Sequence, residues 1–243
     1  MLRLDLRAPF AASRPMMAGW HRPTAALLAP STIYGLLLNV AGVESRLREE
    51  EAGHPGTVPA SMTRSGLPRV RLAMGIPEGN PLPRVQMLFQ QLHNYPVGKD
   101  AGVPAEWTRG NKNNISPVRR ELLSDVRLVL AVEAEADVEN RIRRGLAGEL
   151  NSGRYGLPFV GDNSFLLDRL DPLEHSPACR WIERVKTDEP DPDQVPVTAR
   201  LTVWIDRADM TRTVSYLYAP SKHASATSPE EAWTWIPPEP ASS

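Results

Sequence analysis

Apolar and polar residues alternate strictly in Leu2-Arg3-Leu4-Asp5-Leu6-Arg7-Ala8. A period of two is that of a half-buried strand, so the segment predicts a strand with its leucines inward, ended by Pro9. Residues 9–30 show no period and carry Arg14, Trp20, His21 and Arg22. Ile33, Leu36, Leu37 and Val40 then recur at helical spacing. Ser31 is a good N-cap for that helix, with Pro30 before it, and Gly42 is a C-terminal stop. The helix is mostly apolar, which predicts burial of most of its surface. A charged continuation follows over 46–51 and a loop over 52–61.

Residues 70–75 predict a second strand and 84–92 a third. Residues 94–117 are rich in Gly, Asn, Pro and charge, the composition of a long loop. The latter half of 121–132 predicts another strand. Asp137 is placed to cap a helix over 138–150, with Val138, Ile142 and Leu146 on one stripe. A glycine-punctuated loop, 153–163, comes next, and 188–193 is acidic and broken by proline. Strands are predicted over 197–206 and 211–218, and disorder over 237–243. The order of elements fits a βαββαβ ferredoxin-like core.

Composition narrows the functional classes. The chain has 24 prolines in 243 residues, about twice ordinary usage, which predicts limited regular structure and long loops. A net charge of −1 excludes an evenly basic surface but leaves room for a local basic patch. Cys179 is the only cysteine, so an internal disulfide or a cysteine zinc cluster is excluded. The apolar stretch 33–43 is too short to span a bilayer, and residues 1–8 lack the pattern of a signal peptide. A reduced, cytoplasmic chain without a membrane partner is the expectation.

Three segments carry candidate chemistry. Arg109, Lys112, Arg119 and Arg120 lie among Asn111, Asn113 and Asn114, with Trp107 just ahead and no acid until Glu121. Phosphates attract Lys and Arg, aromatic faces stack single-stranded bases, and Asn amides read base edges, so this segment suits a finger over RNA, with Tyr95 a further stacking face. Its composition equally suits a solvated polar loop. Arg14, Trp20, His21 and Arg22 precede the Ser31–Thr32 helix start, which can accept phosphate; a plain cap and a tryptophan covering the core account for the same residues. Around Gly153 to Gly161 neither the dinucleotide-binding nor the phosphate-loop motif occurs, although Arg154 and Tyr155 are placed to touch RNA.

Enzymatic patterns are weak. The five histidines are scattered, and HExxH and GxSxG are both absent. No carboxylate pair has metal-ligand spacing, so no metal or other cofactor is expected. His21, Tyr34 and Lys112 supply the residue types of a metal-free ribonuclease, a set that chance provides in almost any chain.

Two stretches carry a resemblance. Ala8-Pro9-Phe10-Ala11-Ala12-Ser13-Arg14-Pro15 with Pro30-Ser31-Thr32-Ile33-Tyr34-Gly35-Leu36-Leu37-Leu38-Asn39-Val40-Ala41-Gly42 resembles the amino-terminal signature of the fifth CRISPR-associated (Cas) family, part of the RAMP superfamily of type I interference (Cascade) complexes. Asn111-Lys112-Asn113-Asn114-Ile115-Ser116-Pro117-Val118-Arg119-Arg120-Glu121 and Arg154-Tyr155-Gly156-Leu157-Pro158-Phe159-Val160-Gly161-Asp162-Asn163 look most like its DevS-like branch. The resemblance covers 1–45 and 108–165 and thins beyond about residue 180.

It implies an α+β chain: a ferredoxin-like (RRM-like, RAMP) domain over 1–170 with a long β-hairpin thumb near 94–120, and a small carboxy-terminal β region over 171–236. It further implies a subunit that holds the repeat-derived 5′ handle of the crRNA and contacts the Cas7-type backbone filament. The large PAM-reading subunit would dock on it, with target DNA as a further contact. Arg14 to Arg22 and the start of the Ser31 helix would line the handle site, as would Tyr34. One branch of the family cleaves crRNA precursor; the DevS-like resemblance favours no catalysis.

Overall fold

A computed structural model describes residues 1–15, 20–47, 62–96, 102, 104–109, 113–151, 153–185, 197–207 and 209–239; the side chains of 93–96 and 105 lie outside that set. In chain order these form β1 (Leu2–Ala11), β2 (His21–Arg22), α1 (Pro30–Val40), β3 (Val70–Pro77), β4 (Arg84–Pro96) and β5 (Asn113–Ala134). There follow α2 (Ala136–Leu146), β6 (Arg169–Pro172), β7 (Cys179–Arg184), β8 (Ala199–Trp204), β9 (Val214–Pro220) and β10 (Thr234–Ile236). The strands join in one sheet in the order β6-β1-β5-β3-β7-β9-β8, with β10 beside β3 and with β2 and β4 beside β5. Every ladder is antiparallel except β2 with β5. The predicted loop over 52–61 and the acidic segment 188–193 fall outside the described residues.

The period of two in β1 does what it predicts: Leu2, Leu4, Leu6 and Ala8 are buried against α1 and its surroundings. Pro9 does not end the strand, which runs on to Ala11. β6 pairs only with Leu4 to Arg7, so beyond Arg7 that edge of β1 meets no strand among the described residues, and an edge tolerates the missing N–H.

β5 is the spine of the fold. Residues 123–132 pair with β1, and residues 129–134 pair with β3 along the opposite edge. Within the sheet its side chains are buried on both faces, as an apolar run requires. Leu128, Leu130 and Val132 join the core under the helices, while Val129 and Ala131 join a second, smaller core with Ala73, Cys179, Trp181 and Ala232. Gly75 admits this second core, since a Cβ there would come within 2.7 Å of the Cys179 Cβ and 3.0 Å of the Trp181 ring.

The strand also begins well before the latter half of 121–132, where the sequence predicts it, at Asn113. Residues 113–124 pair with β4 to form a long ribbon, so the segment read as a loop over 94–117 is partly strand. Every residue from Arg84 to Phe89 is exposed, so the ribbon projects from the body with both faces open along β4. That is why its sequence lacks the amphipathic period of a covered strand.

The helix ends differ from expectation. α1 starts at Pro30 with Ala29 as N-cap, and no side chain caps it. Ser31 is instead bound sideways: its hydroxyl donates to the Thr202 carbonyl of β8 at 2.8 Å. At the other end Gly42, at φ +66, stops the helix as expected. The Gly42 N–H reaches the Asn39 carbonyl at 3.0 Å and the Val43 N–H reaches Leu38 at 2.8 Å, a Schellman closure. α2 begins at Ala136, so Asp137 is not its cap but an acid of the first turn, where it complements the helix dipole. Part of the predicted disordered tail is anchored, since the Arg69 Nε donates to the Pro237 carbonyl at 3.2 Å.

Candidate nucleic-acid interface

Two basic segments a hundred residues apart in sequence meet at the root of the ribbon. β2 lies parallel to β5, with His21 opposite Arg119 and Arg22 opposite Arg120. Glu121 organises this contact. One of its carboxylate oxygens lies 3.0 Å from the His21 Nε2. The other accepts the Thr24 N–H at 3.0 Å. The Arg119 N–H in turn donates to the Trp20 carbonyl at 2.8 Å.

This brings an aromatic and a cation into register. The Arg119 guanidinium lies 5.0 Å from the centre of the Trp20 ring and 5.0 Å from that of Phe89. Phe89 faces Arg119 directly across the ribbon, which puts both side chains on one face. Trp20 is 61% exposed and Phe89 66%, so their rings remain open to solvent on the sides away from the guanidinium. Phe89 is absent from the residues that sequence alone singles out. The signal for it is the odd-position run Val85, Met87, Phe89, whose apolar side chains are exposed here instead of facing a core.

On the other face of β5, since consecutive strand residues point opposite ways, Arg14 and Arg120 both clasp the Asp162 carboxylate through their Nη2 atoms. Arg120 also donates to the Gln90 Oε1 of β4 at 2.6 Å. Asp162 is nearly buried. Burial pushes its carboxyl up, but the Ser164 N–H and the two guanidiniums outweigh that and hold it below the ordinary carboxylate value. Arg14 is held below the ordinary arginine value, chiefly by burial, with Asp162 opposing and the nearby charges of Arg120 and Arg22 adding. Arg14 and Arg120 therefore share the one Asp162 carboxylate with Arg22 near Arg14, so the balance there is positive, while Glu121 holds His21 opposite Arg119.

The glycine loop delivers Asp162. The Ala12 N–H donates to the Val160 carbonyl at 3.1 Å, pinning the loop to the end of β1. Gly161, at φ +78, passes so close that a Cβ would sit 1.7 Å from the Ala12 carbonyl oxygen. The tight connection expected of this loop is thus also the mount for the clasp.

The other predicted residues are distributed as follows. Trp107, 77% exposed, lies on a 3-10 turn over Ala105–Thr108 between β4 and β5, and Arg109 follows it. Asn113 and Asn114 open β5, half-buried. Lys112 falls outside the described residues, as does the side chain of Tyr95. Arg154 and Tyr155 do not join the ribbon cluster: Arg154 donates to the Gly145 carbonyl of α2, and the Tyr155 ring lies beneath Arg46 at 5.6 Å. Ser31 and Thr32 are half-buried in a helix start that packs on β8.

Tyr34 is a core residue, 4% exposed. Its hydroxyl donates to the Pro68 carbonyl at 2.8 Å, and burial pushes its ionisation well up. It has no exposed surface with which to meet a phosphate. The helical spacing that led to α1 carries Tyr34 inward beside Ile33 and Leu37.

Among the described residues no group of three His, Cys, Asp or Glu could hold a metal ion, and no helix is long and apolar enough to cross a membrane. No family model and no curated protein matches the sequence. Among solved structures, 22 chains match. One, described as "CRISPR RNA-guided surveillance complex", aligns over 95% of this chain and 95% of its own at 14% identity, with a TM-score of 0.50. Another, described as "Crystal structure of Cas protein", covers 91% and 95% at 13% identity and a TM-score of 0.42. The chain is similar in fold to the first of these, an α+β arrangement of a large antiparallel sheet with few helices.

Proposed function

We propose that this chain is a non-catalytic structural subunit of a type I CRISPR surveillance complex, and that it grips the 5′ handle of the crRNA. The observation that carries the reading is the contact of Arg119 with the Trp20 and Phe89 rings on one face of β5, with Arg14, Arg22 and Arg120 on the other, at the root of a projecting ribbon. Open aromatic faces next to guanidiniums are what a single-stranded RNA backbone with splayed bases requires. The ribbon is the thumb, and Trp107 and Arg109 extend the same chemistry to its end.

The topology supports a ferredoxin-like (RAMP) reading. The order β6-β1-β5-β3, with α1 after β1 and α2 after β5, is the strand order 4-1-3-2 of a βαββαβ unit. β7, β8 and β9 then form the smaller carboxy-terminal region. The partners on this reading are the crRNA handle, a backbone subunit of the filament and the large PAM-reading subunit, with target DNA nearby.

On the same reading the grip does not cut. Of the His21, Tyr34 and Lys112 set, Tyr34 has its hydroxyl committed to the Pro68 carbonyl inside the core. The test is to purify the full chain together with the products of its neighbouring genes and sequence the RNA it carries. Repeat-derived 5′ ends protected by the complex are the expected result; bulk cellular RNA without such ends would contradict it.

A further inference from the structure

A second cationic site lies apart from the stacked rings. A cavity of about 240 Å³ opens between the end of β1 and the carboxy-terminal strands, lined by Ser13, Arg14, Arg200, Thr202, Thr213 and Ser215, with Pro15 and Ala25 completing its wall. Among the described residues no carboxylate lines it. Four hydroxyls and two guanidiniums surround it, the donor set that suits an oxyanion and gives a neutral metabolite or a cation little to hold.

Two buried polar atoms on this wall find no hydrogen-bond partner among the described residues, the Arg14 Nε and the Thr213 Oγ1. Buried polar groups are nearly always paired, and an unpaired one is destabilising, so two at one cavity point to a missing partner. The strand register explains how the site is assembled. Thr202 pairs with Ser215 across β8 and β9, and Arg200 lies two residues from Thr202 on the same face. Arg200 is exposed, while Arg14 commits its Nη2 to Asp162 and leaves its Nε without a partner among the described residues.

We infer that this cavity binds a phosphate group, held by Arg14 and Arg200 with the Thr213 and Ser215 hydroxyls. The group can come from an RNA strand passing the ribbon root or from free phosphate; only the first source rests on the proposed function. The cavity itself stands on residues outside the stacked rings.

The test uses the full chain and inorganic phosphate, read by its thermal shift against chloride at equal ionic strength. Phosphate is expected to raise the melting temperature of the wild type and of Trp20→Ala alike. Arg200→Gln and Thr213→Val, with unchanged circular dichroism, are expected to need roughly tenfold more phosphate for the same shift. A 5′-phosphorylated oligonucleotide that competes with inorganic phosphate, where its 5′-hydroxyl twin does not, would assign a strand terminus; competition by both would assign an internal phosphodiester. No competition by either would assign free phosphate. A wild type that responds equally to phosphate and chloride, or variants that respond as the wild type does, would overturn the site. Because Trp20→Ala spares this site and Arg200→Gln spares the stacked rings, loss of RNA binding and loss of phosphate binding are separable failures.

Discussion

Arg119 and Trp20 are joined twice: the Arg119 N–H donates to the Trp20 carbonyl at 2.8 Å, and its guanidinium lies 5.0 Å from the centre of the Trp20 ring. The backbone bond fixes where the ring stands, and the guanidinium fixes how it faces. A cation–π contact at an exposed site is worth about 0.5–1 kcal/mol, too little to hold the segment by itself, so the β2–β5 pairing and Glu121 set the position. The pair is preorganised for a ligand that stacks on its open side.

Trp20→Ala and Phe89→Ala should each weaken binding of single-stranded handle RNA by about 1–3 kcal/mol, with little change in stability because both rings are mostly exposed. Fluorescence anisotropy with labelled RNA measures the first and thermal melting the second. Affinity unchanged in both variants would remove the stacking role.

Asp162→Asn should destabilise the fold by about 3 kcal/mol, because it leaves the nearly buried Arg120 and the partly buried Arg14 without their shared counter-charge. The carboxyl is held below its ordinary value of 3.8. Its contribution is therefore fully present above that value and is lost as pH falls through the lower, folded one. Chemical denaturation of wild type and variant across pH should show two curves that converge below about pH 4. A gap that persists undiminished in acid would contradict the clasp.

Gly161→Ala should be more damaging than its size suggests. The added carbon meets the Ala12 carbonyl oxygen and the residue must hold φ +78, so both sterics and backbone oppose it. A drop of several degrees in melting temperature is expected, together with weaker RNA binding as Asp162 shifts. A variant as stable as the wild type would show that the loop is not docked on β1.

Tyr34→Phe should cost about 1 kcal/mol by removing the hydrogen bond to the Pro68 carbonyl, and should leave RNA affinity unchanged. Denaturant melts and anisotropy separate the two effects. Weaker RNA binding at unchanged stability would return Tyr34 to the interface.

How much of this is legible in the sequence depends on what each segment faces. β1 and α1 each have one dominant buried partner, and their periods of two and 3.6 state it openly. The outer half of β5 faces solvent and carries Asn, Pro and Arg, so local composition reads as loop although the ladder with β4 makes it strand. Ser31 has the chemistry of a cap, but the cap position is decided by where the chain turns, and its hydroxyl is bound to Thr202, 171 residues away. The two basic segments are each visible; that they meet depends on the β2–β5 pairing and on Glu121, long-range contacts that no local pattern encodes. Phe89 is hidden for the same reason, since only its partner across the ribbon gives it meaning.

The most direct test of the grip is the salt dependence of handle-RNA binding by the wild type and by Arg22→Ala, Arg119→Ala and the double variant. Removing one phosphate-binding cation should lower the slope of log affinity against log salt by roughly 0.7 for a single strand, so the double variant should fall by roughly twice that. Slopes that stay parallel to that of the wild type, with unchanged affinity, would contradict the assignment of this surface to the RNA backbone.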